Sequence, residues 1–332
     1  MKNNHQMGLR WLLSFGLIFI TILVFSFAMF NKPTTANNLA NCESCNKKAT
    51  GNLDLVPKEP EISVVELEEM RTEIYKNKYT FTVSQNATEY HRYGLNYYGD
   101  QVYKTAPEAP EYKLDPDLPA KFDWREKNGV SPVKNQGNCA SCWAFSTVGI
   151  MESAILIKER KRVDLSEQYL ISCNTSGWGC KKGWWAHGYH INPGAIMERC
   201  FPYQAAEVPC KSNCPHRYKI DSWFFINSKD SIPYVESIQG AILKYGPIAA
   251  SVAVDKYFIA YSGGVFNRNY EAVPNHAVIL VGWDDTQNCW ILKNSWGTSW
   301  GESGYMRIGY NISMVGCWAN YVVYKGESSS NR

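Results

Sequence analysis

The feature that most constrains this chain is the separation of its two periodicities, with helix-like patterns first and strand-like patterns last. Residues 141–160, SCWAFSTVGIMESAILIKER, are apolar-rich and end in charge, which predicts a long helix. Ser166 is placed to cap a second helix, SEQYLIS. From Pro247 onward, IAASVAV, HAVILVGW, CWILKNSW, GYMRIGY and NYVVYK read as strands separated by Gly- and Asp-containing turns. Residues 173–222, between the two halves, are loop-rich and hold five cysteines. Helices and strands in separate runs predict an α+β fold with two lobes.

The N-terminal part has a different texture. Lys2 and Arg10 precede an apolar run from Trp11 to Phe30, which reads as an export signal with a cleavage point after Ala36. The same run is long enough to span a bilayer, so an uncleaved membrane anchor remains the alternative. Residues 37–60 read as a polar tether in which Cys42 and Cys45 could close a small disulfide. Within residues 61–78, Val64, Leu67, Met70 and Ile74 recur at helical spacing, and KYTFTV then reads as a short strand. Residues 104–119 carry Pro107, Pro110, Pro116 and Pro119, which precludes a regular element and marks a boundary open to proteolysis. The formal net charge is +3 with no basic stripe, which argues against a nucleic-acid partner. No internal repeat is evident, and the tail GESSSNR is expected to be flexible.

The stretch NQGNCASCWAF (135–145) places Cys139 and Cys142 at C-x-x-C spacing. Taken alone, this fits a redox pair, half of a zinc site, or two cysteines with unrelated roles. An odd count of 11 cysteines in an exported chain leaves one thiol unpaired. A cysteine nucleophile needs a base, a group to orient the base, and donors for a developing oxyanion. Cys142 lies at the start of the long helix, where the dipole favours thiolate. His276 precedes a strand in VPNHAVILVGW, Asn294 follows the next strand in WILKNSWG, and Gln136 lies six residues before Cys142.

Three blocks carry a resemblance: FDWREKNGVSPVKNQGNCASCWAFS (122–146), NHAVILVGW (275–283) and KNSWGTSWGESGYMRI (293–308). In content and order they resemble the papain family of cysteine proteases, over residues 118–325. The resemblance implies a helical left lobe, a β-barrel-like right lobe and an active site in the cleft between them. It implies Cys142 as nucleophile, His276 as its imidazolium partner, Asn294 as the group that holds the imidazole, and Trp296 as its shield. Gln136 and the Cys142 backbone N–H would form the oxyanion hole. Gly183 would let the substrate backbone approach, although Lys182 stands where the family has a second glycine. Trp184, Trp185, Ser251, Pro274, Ala277 and Val322 would line the pocket for the second residue before the cut and favour an apolar side chain. Ala140, where the family has glycine, adds a methyl near the first subsite. His187 and His190 are expected at a helix start, on the surface or at the cleft edge.

By the family pattern Cys139 pairs with Cys180 and Cys173 with Cys200. Cys210 and Cys214, in the short insertion PCKSNCPHR, are expected to pair with each other, and Cys289 with Cys317. Here the chain departs from the pattern, since Tyr270 stands at the usual partner of Cys317. Zinc binding by the Cys173–Cys214 cluster is the disfavoured rival, and no metal or cofactor is expected. The implied organisation is a signal or anchor (1–36), a propeptide and linker (37–117), a peptidase domain (118–325) and a tail (326–332). The implied function is an exported precursor of a cysteine endopeptidase, destined for an extracellular, lysosome- or vacuole-like, or periplasmic compartment. Its partners would be protein or peptide substrates and its own propeptide as inhibitor. A non-catalytic binding protein and an acyl-transferase using the same pair are the rivals. Asn86, Asn174 and Asn311 fit the N-glycosylation pattern.

Overall fold

In a computed structural model of the full chain, residues 62–85, 117–226 and 232–326 are described. The apolar run 11–30, Cys42, Cys45, Asn86, the prolines from 107 to 116 and the tail from 327 lie outside these residues. Helix α1 (Val64–Lys76) begins at a capping box, in which Ser63 Oγ accepts from the Glu66 N–H and the Glu66 carboxylate accepts from the Ser63 N–H. The chain then turns into strand β1 (Phe81–Val83), and the next described strand is β2 (Lys121–Asp123). Three helices follow: α2 (Cys142–Glu159), α3 (Glu167–Cys173) and the short α4 (His187–Ile191). The remaining elements are β3 (Ser222–Phe225), α5 (Val235–Tyr245), β4 (Ile248–Val252), α6 (Lys256–Ile259), β5 (Tyr261–Phe266), β6 (His276–Asp284), β7 (Cys289–Lys293), β8 (Tyr305–Gly309) and β9 (Cys317–Val323).

The strands form one nine-stranded sheet in the order β1-β5-β8-β7-β6-β4-β9-β3, with β2 also paired to β6. All pairs are antiparallel except β5 with β8. Two buried cores result. One surrounds α2, α3 and the tryptophans 184, 185 and 223; the other fills the strand lobe around Phe258, Trp283, Trp296 and Trp300. Helix α2 is buried from Cys142 through Leu156 on every face, which explains why its sequence is apolar all round rather than amphipathic. It lies directly on β6, where a Cβ at Gly149 would meet Ile279 Cδ1 at 2.5 Å. Strand β6 is itself buried along its whole length, so it reads as a continuous apolar run.

The segment upstream of the proline boundary is part of the strand lobe. Strand β1 adds to the sheet edge through Phe81↔Gly264 and Thr82↔Gly263. Phe81 packs on Phe266 with ring centroids 4.5 Å apart, and Leu67 and Met70 of α1 are buried in the same core. Glu73 of α1 accepts a hydrogen bond from Tyr257 and lies 3.5 Å from Arg268, which is paired with Asp255. No helix among the described residues is long and apolar enough to cross a membrane.

Three disulfide expectations are corrected. Cys139 and Cys180 are joined, but Cys173 pairs with Cys210 and Cys200 with Cys214, not Cys173 with Cys200 or Cys210 with Cys214. Adjacent cysteines in an insertion can be aimed apart; the loop brings Cys173 and Cys210 to a Cα separation of 4.8 Å, inside the range a disulfide spans. Cys289 is a thiol and does not pair with Cys317, which is held in another disulfide. Strands β6 and β4 intervene between β7 and β9. Three strand spacings of about 4.8 Å put the two cysteines beyond disulfide reach.

Candidate active site

Cys142, His276 and Asn294 each sit at the end of an element, where a side chain can face another part of the chain. Cys142 is the first residue of α2, and the Ala144 and Phe145 N–H groups close the first turn on Ser141 O. His276 opens β6 and Asn294 directly follows β7. The same narrow cavity is lined by Phe145, Ser146 and Gly149 of α2, by Ala277 and Ile279 of β6, and by Asn294 and Ser295. The helix bearing Cys142 and the strand bearing His276 therefore meet beside the Asn294 loop.

His276 Nε2 and Asn294 Oδ1 are 2.8 Å apart, and the Ser295 N–H also donates to that oxygen at 2.8 Å. An atom that accepts from a backbone N–H is the amide oxygen, so Nε2 is the protonated ring nitrogen of His276. Trp296 covers the pair: its ring centroid lies 4.7 Å from that of His276, and its indole is fully buried. Burial pushes the His276 pKa down to about 4, opposed by the hydrogen bond to Asn294, which favours the charged ring.

Gln136 is held on three sides. Its backbone N–H donates to Ser295 O at 2.8 Å, its Nε2 donates to Cys139 O at 3.0 Å, and its Oε1 accepts from Ser295 Oγ at 2.7 Å. Asn135 bridges to Trp296, and the Gly297 N–H donates to Lys134 O, so residues 134–136 run along 295–297 as a two-stranded clamp. Behind the clamp, Lys134 Nζ is 2.9 Å from both Glu152 Oε1 and Glu167 Oε1, and 2.7 Å from Asp164 Oδ1. Tyr203 adds a further tie, donating to Gln136 O and sharing a hydrogen bond with Ser141 Oγ, both at 2.7 Å. Ser295, Tyr203, Lys134, Glu152 and Glu167 were not expected from the sequence. Ser295 adjoins Asn294 in the matched block; Tyr203, in the cysteine-rich loop, carries no local signal.

The disulfide Cys139–Cys180 ties the loop before Cys142 to the segment GCKKGWW, and the Ala140 N–H donates to Cys180 O at 2.9 Å. Gly183 is required sterically, because a Cβ there would lie 2.2 Å from the Trp143 ring. Lys182 closes a turn, its carbonyl accepting from the Gly179 N–H. Trp184 and Trp185 stand 5.7 Å apart, centroid to centroid, in one buried cluster with Ala277 and Val322. Ser251 pairs with Ala277 across the sheet, and Pro274 is buried two residues before His276.

His187 opens α4 and His190 lies in its last turn, but neither is a surface or cleft-edge residue, since both are fully buried. Helix α4 is only one turn, and both of its histidines are turned inward, His187 toward Trp223 and Asn320. His187 Nε2 lies 2.8 Å from Asn320 Oδ1 and its ring centroid 5.0 Å from that of Trp223. Burial pushes the two pKa values down to about 4 and about 3. The Asn174 amide nitrogen is also engaged, donating to the carbonyls of Leu170, Ile171 and Trp178, which conflicts with its use as a glycan acceptor.

Residues 118–325 match the profile described as papain family cysteine protease. Zingipain-2 from Zingiber officinale is 38% identical over 63% of this chain and 99% of its own length. The viral cathepsin of Heliothis zea nuclear polyhedrosis virus is 37% identical over 65% of this chain, which spans 58% of that relative's length. Among solved structures, a digestive procathepsin L 3 from Tenebrio molitor larval midgut superposes with a TM-score of 0.65 at 30% identity, covering 78% of this chain and 88% of that one. The bromelain protease from Ananas comosus, solved with the E64 inhibitor, gives 0.57 at 34% identity, over 62% of this chain and all of its own. Two cores, a clamp that joins them and the ordered blocks around Cys142, His276 and Asn294 agree with these likenesses: the chain belongs to the papain family of cysteine proteases, with its α+β fold, and is a hydrolase of that type.

Proposed function

We propose that the protein is made as an exported precursor and hydrolyses peptide bonds through Cys142 and His276. The observation that carries the reading is the 2.8 Å hydrogen bond between His276 Nε2 and Asn294 Oδ1. It turns the other ring nitrogen, Nδ1, into the one that exchanges a proton with Cys142. An imidazole this buried stays neutral on its own at pH 7. A thiolate beside it is the charge that holds its proton, so the two ionise as a pair, helped by the N-terminus of α2.

In the acylation step the Cys142 thiolate attacks the scissile carbonyl carbon and the carbonyl electrons move to oxygen. Gln136 Nε2–H and the Cys142 N–H stabilise that charge. The tetrahedral species collapses to a thioester, and the departing amine takes the proton from His276 Nδ1. Neutral His276 then takes a proton from water as the water oxygen attacks the thioester. The acid released leaves Cys142 as thiolate and His276 as imidazolium again.

Trp184, Trp185, Ser251, Pro274, Ala277 and Val322 include no acidic group, which supports an apolar side chain at the second position before the cut. Export is supported by the charged, apolar N-terminus and by disulfides, which persist in oxidising compartments. Docking of α1 and β1 on the strand lobe supports an inhibitory prosegment removed by cleavage near Pro116–Pro119. The Trp283 indole N–H donates to Pro119 O, so a cut just upstream leaves the domain's first strand in place. Cys142→Ala should abolish hydrolysis while retaining the folded circular-dichroism spectrum. Processed protein that cleaves no peptide and takes up no thiol-directed epoxide would overturn the reading.

A further inference from the structure

Strands β6, β4 and β9 align Ala277, Ser251 and Cys317 in one row, because Ser251 pairs with Ala277 on one side and Cys317 on the other. Cross-strand partners share a face, so the row starts at the neighbour of His276 and ends at Cys317. Ser251 Oγ donates to Cys317 O at 2.7 Å and pins that end. Immediately afterwards the ladder breaks. Ala249 pairs with Asn320, so Trp318 and Ala319 together face the single residue Ala250. This is a β-bulge, a device that re-aims a side chain. Trp318 takes φ +52° there, in the left-handed region that a glycine adopts without strain and a bulky residue rarely does. The re-aimed indole meets Trp184 edge-on with centroids 4.8 Å apart, and both rings are almost fully buried. Trp318, Trp184, Ala277 and Val322 belong to the same buried cluster.

The geometry points to Trp318 as the residue that sets substrate size: its indole fills the recess bounded by Trp184, Ser251, Ala277 and Val322. The peptidase therefore takes a small side chain, such as alanine, at the second position before the cut and rejects leucine and phenylalanine. Cores at native density do not accept extra volume without displacement, and a large fixed ring leaves no room for a second apolar side chain. The inference rests on the peptidase reading above and narrows its expectation of any apolar residue to small ones.

The test is kcat/KM for processed enzyme on fluorogenic peptides that differ only at that position, carrying Ala, Val, Leu or Phe. Wild type is expected to cleave the Ala peptide at least tenfold better than the Leu and Phe peptides. Trp318→Gly, which suits the backbone conformation, should raise the Leu-to-Ala ratio at least tenfold; Trp318→Leu serves if the glycine variant fails to fold. A wild-type profile that is flat or favours Leu or Phe overturns the inference while leaving the peptidase reading standing, as does an unchanged ratio in the folded variant. A wild type that cleaves none of the peptides and binds no thiol-directed epoxide overturns both.

Discussion

Ser295 Oγ donates to Gln136 Oε1 across 2.7 Å, joining the residue after Asn294 to the amide that would face the oxyanion. One hydroxyl thus couples the orientation of Gln136 to the loop that holds His276. Gln136→Ala should lower kcat/KM by about 10²–10³, the usual cost of losing an oxyanion donor. Ser295→Ala removes that hydroxyl from the buried Gln136 Oε1, at a cost of about 1–3 kcal/mol, and should lower kcat/KM about tenfold. The double variant should be no worse than Gln136→Ala alone, because the hydroxyl acts only through the amide. Additive losses in steady-state kinetics would contradict the coupling.

The buried histidines predict acid lability. Burial holds His187 near 4 and His190 near 3 in the folded protein, against about 6.5 in the unfolded chain. The unfolded state therefore binds more protons below pH 6.5. This contribution to stability is fully present above pH 6.5 and is lost as pH falls towards 4, by up to about 1.4 kcal/mol per pH unit per histidine. Glu167 works in the other direction, since burial raises its carboxyl above the usual range, against the pull of Lys134. Comparison of wild type with His190→Leu at pH 7 and pH 5 separates the two. Urea midpoints should show the variant losing less stability on acidification, by about one proton's worth of slope.

Among the described residues, thiol reactivity should distinguish the two cysteines outside the disulfides, Cys142 and Cys289. Burial, with the Asp284 carboxylate nearby, pushes the Cys289 thiol up to about 11, so it is almost wholly protonated at pH 7 and poorly nucleophilic. Among the described cysteines, iodoacetamide at pH 7 should label Cys142 in the wild type, and should leave Cys289 unlabelled in both wild type and folded Cys142→Ala. Peptide mapping of the labelled protein without reduction should recover Cys173 linked to Cys210 and Cys200 linked to Cys214. Recovery of a Cys210–Cys214 peptide would contradict the pairing seen here.

Phe81 carries the docking of the upstream segment. It is buried between β5 and the strand-lobe core, against Phe266. Phe81→Ala should cost the precursor about 3–5 kcal/mol of local docking energy. Processing of the precursor should then be faster, as followed by gel electrophoresis. Cut near Pro116–Pro119 as proposed, the enzyme should have unchanged kcat/KM.

The sequence was enough to locate the fold class and the family. Residues 141–160 and the strands after Pro247 announced their state through local periodicity, and the blocks around Cys142, His276 and Asn294 are contiguous patterns. What required the tertiary structure depends on distances between residues far apart in the chain. Periodicity cannot say that Cys200 reaches Cys214 rather than Cys173, because pairing follows from where loops are folded and not from spacing. His187 and His190 look like surface residues in WWAHGYHI, yet both are buried, His187 under Trp223 and Asn320 from β3 and β9. Ser295 and Tyr203 become ties on Gln136 only when the clamp of 134–136 against 295–297 exists. Local chemistry is written along the chain; the orientation of that chemistry is set by packing between lobes.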